Sequence, residues 1–418
     1  MEGHRQLKIA VLSIHSCPLG KVGGKNTGGM SVYIRELARD LGRRGHIVDV
    51  YTRIHEPIHD AVVEIGQKAR LIHLKAGEEG IQKSAIYDHI VDFAHDLENF
   101  RKQNGLRYDL IHSHYWLSGL AGKRLQQWWD VPHVMGFHTL GAVKNAVGIG
   151  EDEPGLRISA EKELVKDCHR IIASTVKGKE DLISYYDASP EAIRVIPCGV
   201  NLDLFRPIKR EIARCYLGLK GESIILFVGR IIPLKGLDNL LKAMSYLKGK
   251  QGTKLVVIGG DEHSQVEMER LKNLSRSLEI HESVIFLGLV KHEMLPFFYS
   301  AADLCVVPSY YESFGLVILE SLACGTPVVA TQVGGAESVI RDGETGYVVT
   351  DNHSCHLADK ITLLLSTAMG NTEFVGSVRA SVTKYSWSNI TEAIIAEYRD
   401  VLRDFSAKAR KGIQESQV

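Results

Sequence analysis

Cysteine frameworks are the first thing missing from these 418 residues. The seven cysteines (positions 17, 168, 198, 215, 305, 324 and 355) are odd in number, scattered, and never spaced as CxxC. That argues against a stapled secreted fold and against a Cys-based structural zinc site. Proline is scarce, with 11 residues, and neither a low-complexity tract nor a short-period repeat occurs, so disordered and fibrous classes are excluded. Nowhere do about 18 apolar residues run together, as a membrane span requires. Residues 1–7 lead straight into the short apolar run 8–14, too brief and wrongly flanked for a secretion signal. A cytoplasmic protein without an integral membrane segment is expected. Charge of one sign is lacking too, since 50 Lys+Arg balance 50 Asp+Glu. Nucleic acid and anionic lipid therefore meet no attracting overall field, and any positive site must be local.

What is present has α/β grammar. Dividing the length by roughly 150 residues per domain gives two or three units. Short Ile- and Val-rich runs, KIAVLSI (8–14), IVDVY (47–51), RLIHL (70–74), DLIHS (109–113), HVMGF (133–137) and RIIAS (170–174), read as buried parallel strands. Between the first two, Met30, Tyr33, Ile34, Leu37, Ala38 and Leu41 fall on one helical face. A second series starts after residue 200: IILFV (224–228), KLVVI (254–258), VIFL (284–287), LCVV (304–307), VVA (328–330) and GYVV (346–349). Leu237, Leu240, Leu241 and Met244 repeat the helix-after-first-strand pattern. Two doubly wound parallel-sheet domains follow, 1–200 and 201–386, joined by the Pro- and Gly-bearing linker 196–207. Residues 387–418 carry Ile390, Ile394, Ile395, Tyr398 and Leu402 at helical spacing and read as a closing amphipathic helix that packs back on the first domain. The cleft between the domains is the expected ligand site.

Several motifs fall on that cleft's edge. Glu312 and Glu320 are separated by seven intervening residues in YESFGLVILESLACG, on a helix expected to start near Phe314. If the whole interval is helical it spans about 12 Å, the reach from the hexose to the ribose of a nucleotide sugar. The amides of Phe314, Gly315 and Leu316 would open that helix toward an anion or a sugar hydroxyl. Two unrelated surface glutamates are the bland alternative. Arg230 and Lys235, in VGRIIPLKG, follow the first strand of the second domain and suit a diphosphate, one as a bidentate fork and one as a point charge; solvated loop charges are the competing reading. Gly28 and Gly29 close the loop GKVGGKNTGG, which is neither a Walker A motif nor G-x-G-x-x-G and on its own is merely a turn. Gly334 and Gly335 make a similar loop. His138 and Thr139 end the HVMGF strand, where a neutral ring could donate to a sugar hydroxyl or phosphate. No exact D-x-D occurs, so no metal ligands of that type are visible.

Taken together, GGMSVYI (28–34), IHSHYWLSG (111–119), FHTLGAVKN (137–145), FVGRIIPLKG (227–236) and PSYYESFGLVILE (308–320) resemble the retaining glycosyltransferases of family 4, over nearly the whole chain. The resemblance implies the GT-B fold, two Rossmann-like domains facing across a cleft, the first binding acceptor and the second the nucleotide sugar. It implies transfer of a hexosyl group from a UDP-sugar, UDP-N-acetylglucosamine or UDP-glucose, to a small phosphorylated acceptor. Inositol phosphate and, as in sucrose-phosphate synthases, fructose 6-phosphate are the acceptors at issue. Arg230 and Lys235 would then stabilise the diphosphate, Glu320 would bind ribose, and Glu312 with the 314–316 amides would hold the hexose that His138 also touches. Lys83, Tyr115, Thr139 and Arg157 would surround the acceptor phosphate. Ser31 stands where the inositol-phosphate pattern has Asn, which leaves the acceptor ring open. No metal and no cofactor is implied, and homodimerisation is compatible with this reading. A UDP-N-acetylglucosamine 2-epimerase of the same fold is the rival from another reaction class, and it would turn donor over without acceptor.

Overall fold

Runs of Val, Ile and Leu buried on both faces build the two sheets of the computed structural model, which describes residues 5–20, 23, 27–55, 60–219, 223–247, 252–366 and 372–415. The first sheet has eight strands: β1 Lys8–Leu12, β2 Ile47–Arg53, β3 Val62–Gly66, β4 Ala69–Leu74, β5 Leu110–His114, β6 His133–Gly136, β7 Arg170–Ala173 and β8 Ile193–Val195. Their order is β3-β4-β2-β1-β5-β6-β7-β8. The second has six, β9 Ser223–Val228, β10 Thr253–Ile258, β11 Val284–Gly288, β12 Leu304–Val307, β13 Val328–Thr331 and β14 Gly346–Val349, ordered β11-β10-β9-β12-β13-β14. Both are doubly wound, and in each the order reverses beside the first strand, between β1 and β5 and between β9 and β12. Ligands of open α/β sheets bind outside the carboxyl ends of the strands at such a reversal.

Two strands go beyond the runs read from the sequence. β3 pairs antiparallel with β4, so the first sheet is not wholly parallel; its burial alternates and it lies at the sheet edge, as suits an antiparallel strand with one wet face. β8 is only three residues long, too short to give a periodic signal. A third difference matters to the site: the helix after β12 spans Leu316–Ala323, with Gly315 preceding it, so Glu312 sits on the loop before the helix and only half of the Glu312–Glu320 interval is helical. The 12 Å span does not apply.

One buried cluster runs from Ile9 and Val48 of the first sheet through Val200 and Phe205 to Ile258 and Val328 of the second. The chain crosses between the lobes twice, and the crossings lie side by side: Val200 N donates to Tyr385 O at 2.8 Å, and Val200 bridges Ser386. After the second crossing the long helix Trp387–Glu415 returns to the first lobe. There Tyr398 OH meets His112 Nδ1 at 2.6 Å, Arg44 reaches Ser388 Oγ at 2.9 Å and Arg170 reaches Asp404 at 3.3 Å. Among the described residues no helix is long and apolar enough to cross a membrane.

Candidate functional site

The loops after β1, β5, β6, β9 and β12 converge on a cleft of about 390 Å³ between the lobes. Every candidate residue named from the sequence lines it except Ser31 and the Gly334–Gly335 pair. Ser31 lies on a buried face of the helix Gly29–Arg43, fully covered, where its hydroxyl bonds that of Ser16. A helix turns about 100° per residue, which separates Ser31 from Gly28 and Gly29 at the cleft. Residues 21–22 and 24–26 of the glycine-rich loop lie outside the described residues.

On the second lobe's wall, Lys235 forms an ion pair with Glu312, whose carboxylate also accepts from Ser309 Oγ at 3.0 Å. Arg230 follows β9 with its side chain open to solvent. Gly315 has φ +96°, a conformation that glycine adopts at little cost, and it turns the chain so that the Leu316–Ala323 helix starts at the cleft. Gly334 does not reach the cleft; a Cβ there would lie 2.9 Å from both Glu312 Cβ and Phe314 O, so this glycine lets the β13 loop back the Glu312 loop closely. Glu320, one turn into the helix, is buried, with His292 Nε2 3.1 Å from one oxygen and Tyr299 OH donating to the other at 2.9 Å. The carboxylate is thereby held in one orientation while keeping further lone pairs.

On the first lobe's wall, Tyr115 is the platform. Its ring has Lys83 Nζ 4.1 Å from its centroid, Arg157 Cζ at 4.8 Å and the His15 ring at 4.3 Å. Arg157 is fully buried and fully engaged: Nε donates to Glu161 at 2.7 Å, Nη1 pairs with Glu153 at 2.8 Å, and Nη2 donates to Thr139 O at 2.8 Å and Oγ1 at 3.0 Å. Burial, reinforced by the Arg157 charge, pushes Lys83 down to about 7. Glu153 bridges Lys144 and Arg157, and although burial opposes it, these cations hold its carboxyl down to about 2. His138 is held with φ +58°, and burial pushes it down to about 4. The walls touch where Leu140 N donates to Tyr311 OH at 3.4 Å, where Ser174 Oγ donates to Ser313 O at 3.0 Å, and where a Cβ on Gly29 would meet Leu316 at 3.3 Å.

Glu153, Lys144, Glu161 and Tyr311 are site residues that motif reading did not single out. The i,i+4 series Glu153, Arg157, Glu161 was a usable signal for the first and third. The segment HEPIH (55–59) spells H-E-x-x-H, which the motif reading also passed over; His55 follows β2 rather than standing on a helix, and residues 56–59 lie outside the described residues. Among the described residues no group of three or more His, Cys, Asp or Glu gathers as a metal cluster.

Comparison with known proteins adds the following. Residues 27–204 match the model for Glycosyltransferase Family 4, and residues 209–374 that for Glycosyl transferases group 1. The chain is 37% identical over 405 residues to a D-inositol 3-phosphate glycosyltransferase of Corynebacterium diphtheriae, covering 94% of this chain and 95% of that one. It is 38% identical over 412 residues to the protein of that name from Mycobacterium bovis, covering 97% and 85%. A sucrose-phosphate synthase from Thermosynechococcus elongatus superposes with TM-score 0.88 at 33% identity, covering 96% of this chain and 100% of that one.

Proposed function

This chain belongs to glycosyltransferase family 4, with the GT-B fold, and from that premise we propose that it moves a hexosyl group from a UDP-sugar to a small phosphorylated acceptor, with retention at the anomeric carbon and without a metal ion. The observation that carries the proposal is the facing of two differently built walls across one cleft. One has Arg230, the Lys235–Glu312 pair and a helix start; the other has Lys83 and Arg157 stacked on Tyr115.

In this reading the donor diphosphate competes with Glu312 for Lys235. Glu312 is then released to accept from hexose hydroxyls, while Arg230 grips phosphate oxygens and Glu320 accepts from the ribose. The acceptor's phosphate sits against Lys83 and Thr139, beside the Arg157 charge. The acceptor hydroxyl attacks the anomeric carbon from the face the leaving group departs; the bond from that carbon to the phosphate oxygen breaks, and that oxygen takes the hydroxyl's proton. Stabilising the charge that develops on the departing UDP is the largest task, and fixed cations in a partly dry cleft are suited to it.

Inositol phosphate is favoured as acceptor by the two relatives named for it. Fructose 6-phosphate is the second reading, supported by the superposition on a sucrose-phosphate synthase and by Ser31, whose buried side chain offers nothing to a polyol ring. The test is UDP release with UDP-glucose and UDP-N-acetylglucosamine, each crossed with inositol phosphate, fructose 6-phosphate and their unphosphorylated forms. Release is expected only with a phosphorylated acceptor. Turnover of donor alone would point to the epimerase chemistry instead.

A further inference from the structure

Behind His138 lie two buried histidines. His138 Nε2 is 2.8 Å from Nδ1 of His114, the last residue of β5, and the other nitrogen of His138 makes no hydrogen bond to described residues while its ring lines the cleft. His114 is fully buried, and its own Nε2 is buried without a hydrogen-bond partner. His112 packs behind it at 4.1 Å between centroids and is itself hydrogen-bonded to Tyr398 of the C-terminal helix. His138 also keeps a left-handed backbone, φ +58°, which a histidine holds only where its surroundings impose it.

Few proton arrangements satisfy this geometry. Burial keeps both rings neutral, with His114 held well below its usual value, so each carries one proton. Were His138 the donor in the shared bond, the proton of His114 would sit on Nε2, where it would be a buried N–H with nothing to meet. Orphaned donors are rarer in folded interiors than under-used acceptors and are expensive. We infer that His114 donates from Nδ1 and thereby fixes His138 as the Nδ1–H tautomer, so that the cleft meets a hydrogen-bond donor, and that His114 is a positioning residue for transfer. A ring in that state cannot take a proton from the acceptor; it serves an oxygen with free lone pairs on the hexose or its phosphate. This last step rests on the transfer reading above, whereas the tautomer does not.

Long-range proton–nitrogen correlation spectra of the full chain labelled with 15N-histidine, with His138 assigned by comparison with His138→Gln, read the tautomer directly. The wild type should show His138 as Nδ1–H at neutral pH. His114→Phe, which removes the donor but keeps a buried ring, should release that preference and lower kcat by about tenfold or more with little change in donor KM. His114→Asn, whose amide can donate from nearly the same place, should recover part of both. A wild-type His138 in the Nε2–H form overturns the inference, and so does a His114→Phe protein with unaltered tautomer and kcat. If His114→Phe fails to fold, the wild-type spectrum alone decides. A wild type that transfers no sugar at all would sink the function reading and leave the tautomer result standing.

Discussion

Lys83 offers the sharpest handle on the acceptor side. Its ammonium lies over Tyr115 beside Arg157, and burial with that neighbouring charge brings it down to about 7. If the acceptor is a phosphomonoester, the ligand gains its second charge above about pH 6, while Lys83 loses its own as pH rises through 7. kcat/KM for the acceptor should therefore peak between about 6 and 7. The alkaline fall should level off once the charge-assisted hydrogen bond is lost, a cost of about 1.5–3 kcal/mol, or roughly 10- to 150-fold. Stability should move the other way. The folded pKa lies below the unfolded value of about 10.4, so the unfolded chain binds more protons between those limits and this lysine's penalty on folding shrinks as pH rises from 7 to 10. Lys83→Arg stays charged throughout and should abolish the alkaline limb. Acceptor saturation curves from UDP release between pH 5.5 and 9 measure this; an alkaline limb that survives in Lys83→Arg, or is absent from the wild type, refutes the reasoning.

Lys235→Ala should cut transfer by about 10²- to 10³-fold with an unchanged thermal melt, since its partner Glu312 keeps the Ser309 bond; near-wild-type UDP release would count strongly against the diphosphate assignment. Glu161→Gln removes the buried anion that serves Arg157, Gly141 N and Tyr186 OH, and guanidinium melts should show a loss of about 3 kcal/mol, whereas a loss below about 1 would mean Glu153 alone neutralises Arg157. Exhaustive dialysis against a chelator should leave turnover intact, and activity that disappears and returns with Mg²⁺ or Mn²⁺ would overturn the metal-independent reading.

The strands and the cleft's second wall were legible because their signals are local. Buried parallel strands are continuous Val/Ile runs; Arg230, Lys235 and Glu312 lie on the loops that directly follow β9 and β12, and Glu320 on the helix after β12. β3, half wet and at an edge, left no such run. The helix start was misread at Phe314 because the apolar sequence continues across it, whereas the backbone is set by Gly315 at φ +96°. On the first lobe's wall His138 and Thr139 were legible from the end of their strand, whereas Lys83, Tyr115 and Arg157, from three further segments, were legible only through the family resemblance. The resemblance set Arg157 beside the acceptor phosphate and carried no sign of its other partners. Its ties to Glu153, Glu161 and Thr139 depend on how two helices and a loop pack, which no single window of sequence records. The engagement of Glu320 by His292 and Tyr299 was hidden in the same way.

The return of the C-terminal helix bears on how the molecule is made. Ile394 and Tyr398 have no exposed surface and belong to the same interior as Ile9, Leu37 and Val48, yet they are synthesised only after the whole of the second lobe. Domains usually fold in order of synthesis. Here the first lobe must wait, with one flank uncovered, until the second has been translated in full, and a transcript broken shortly before codon 387 would yield a finished second lobe tethered to an unfinished first.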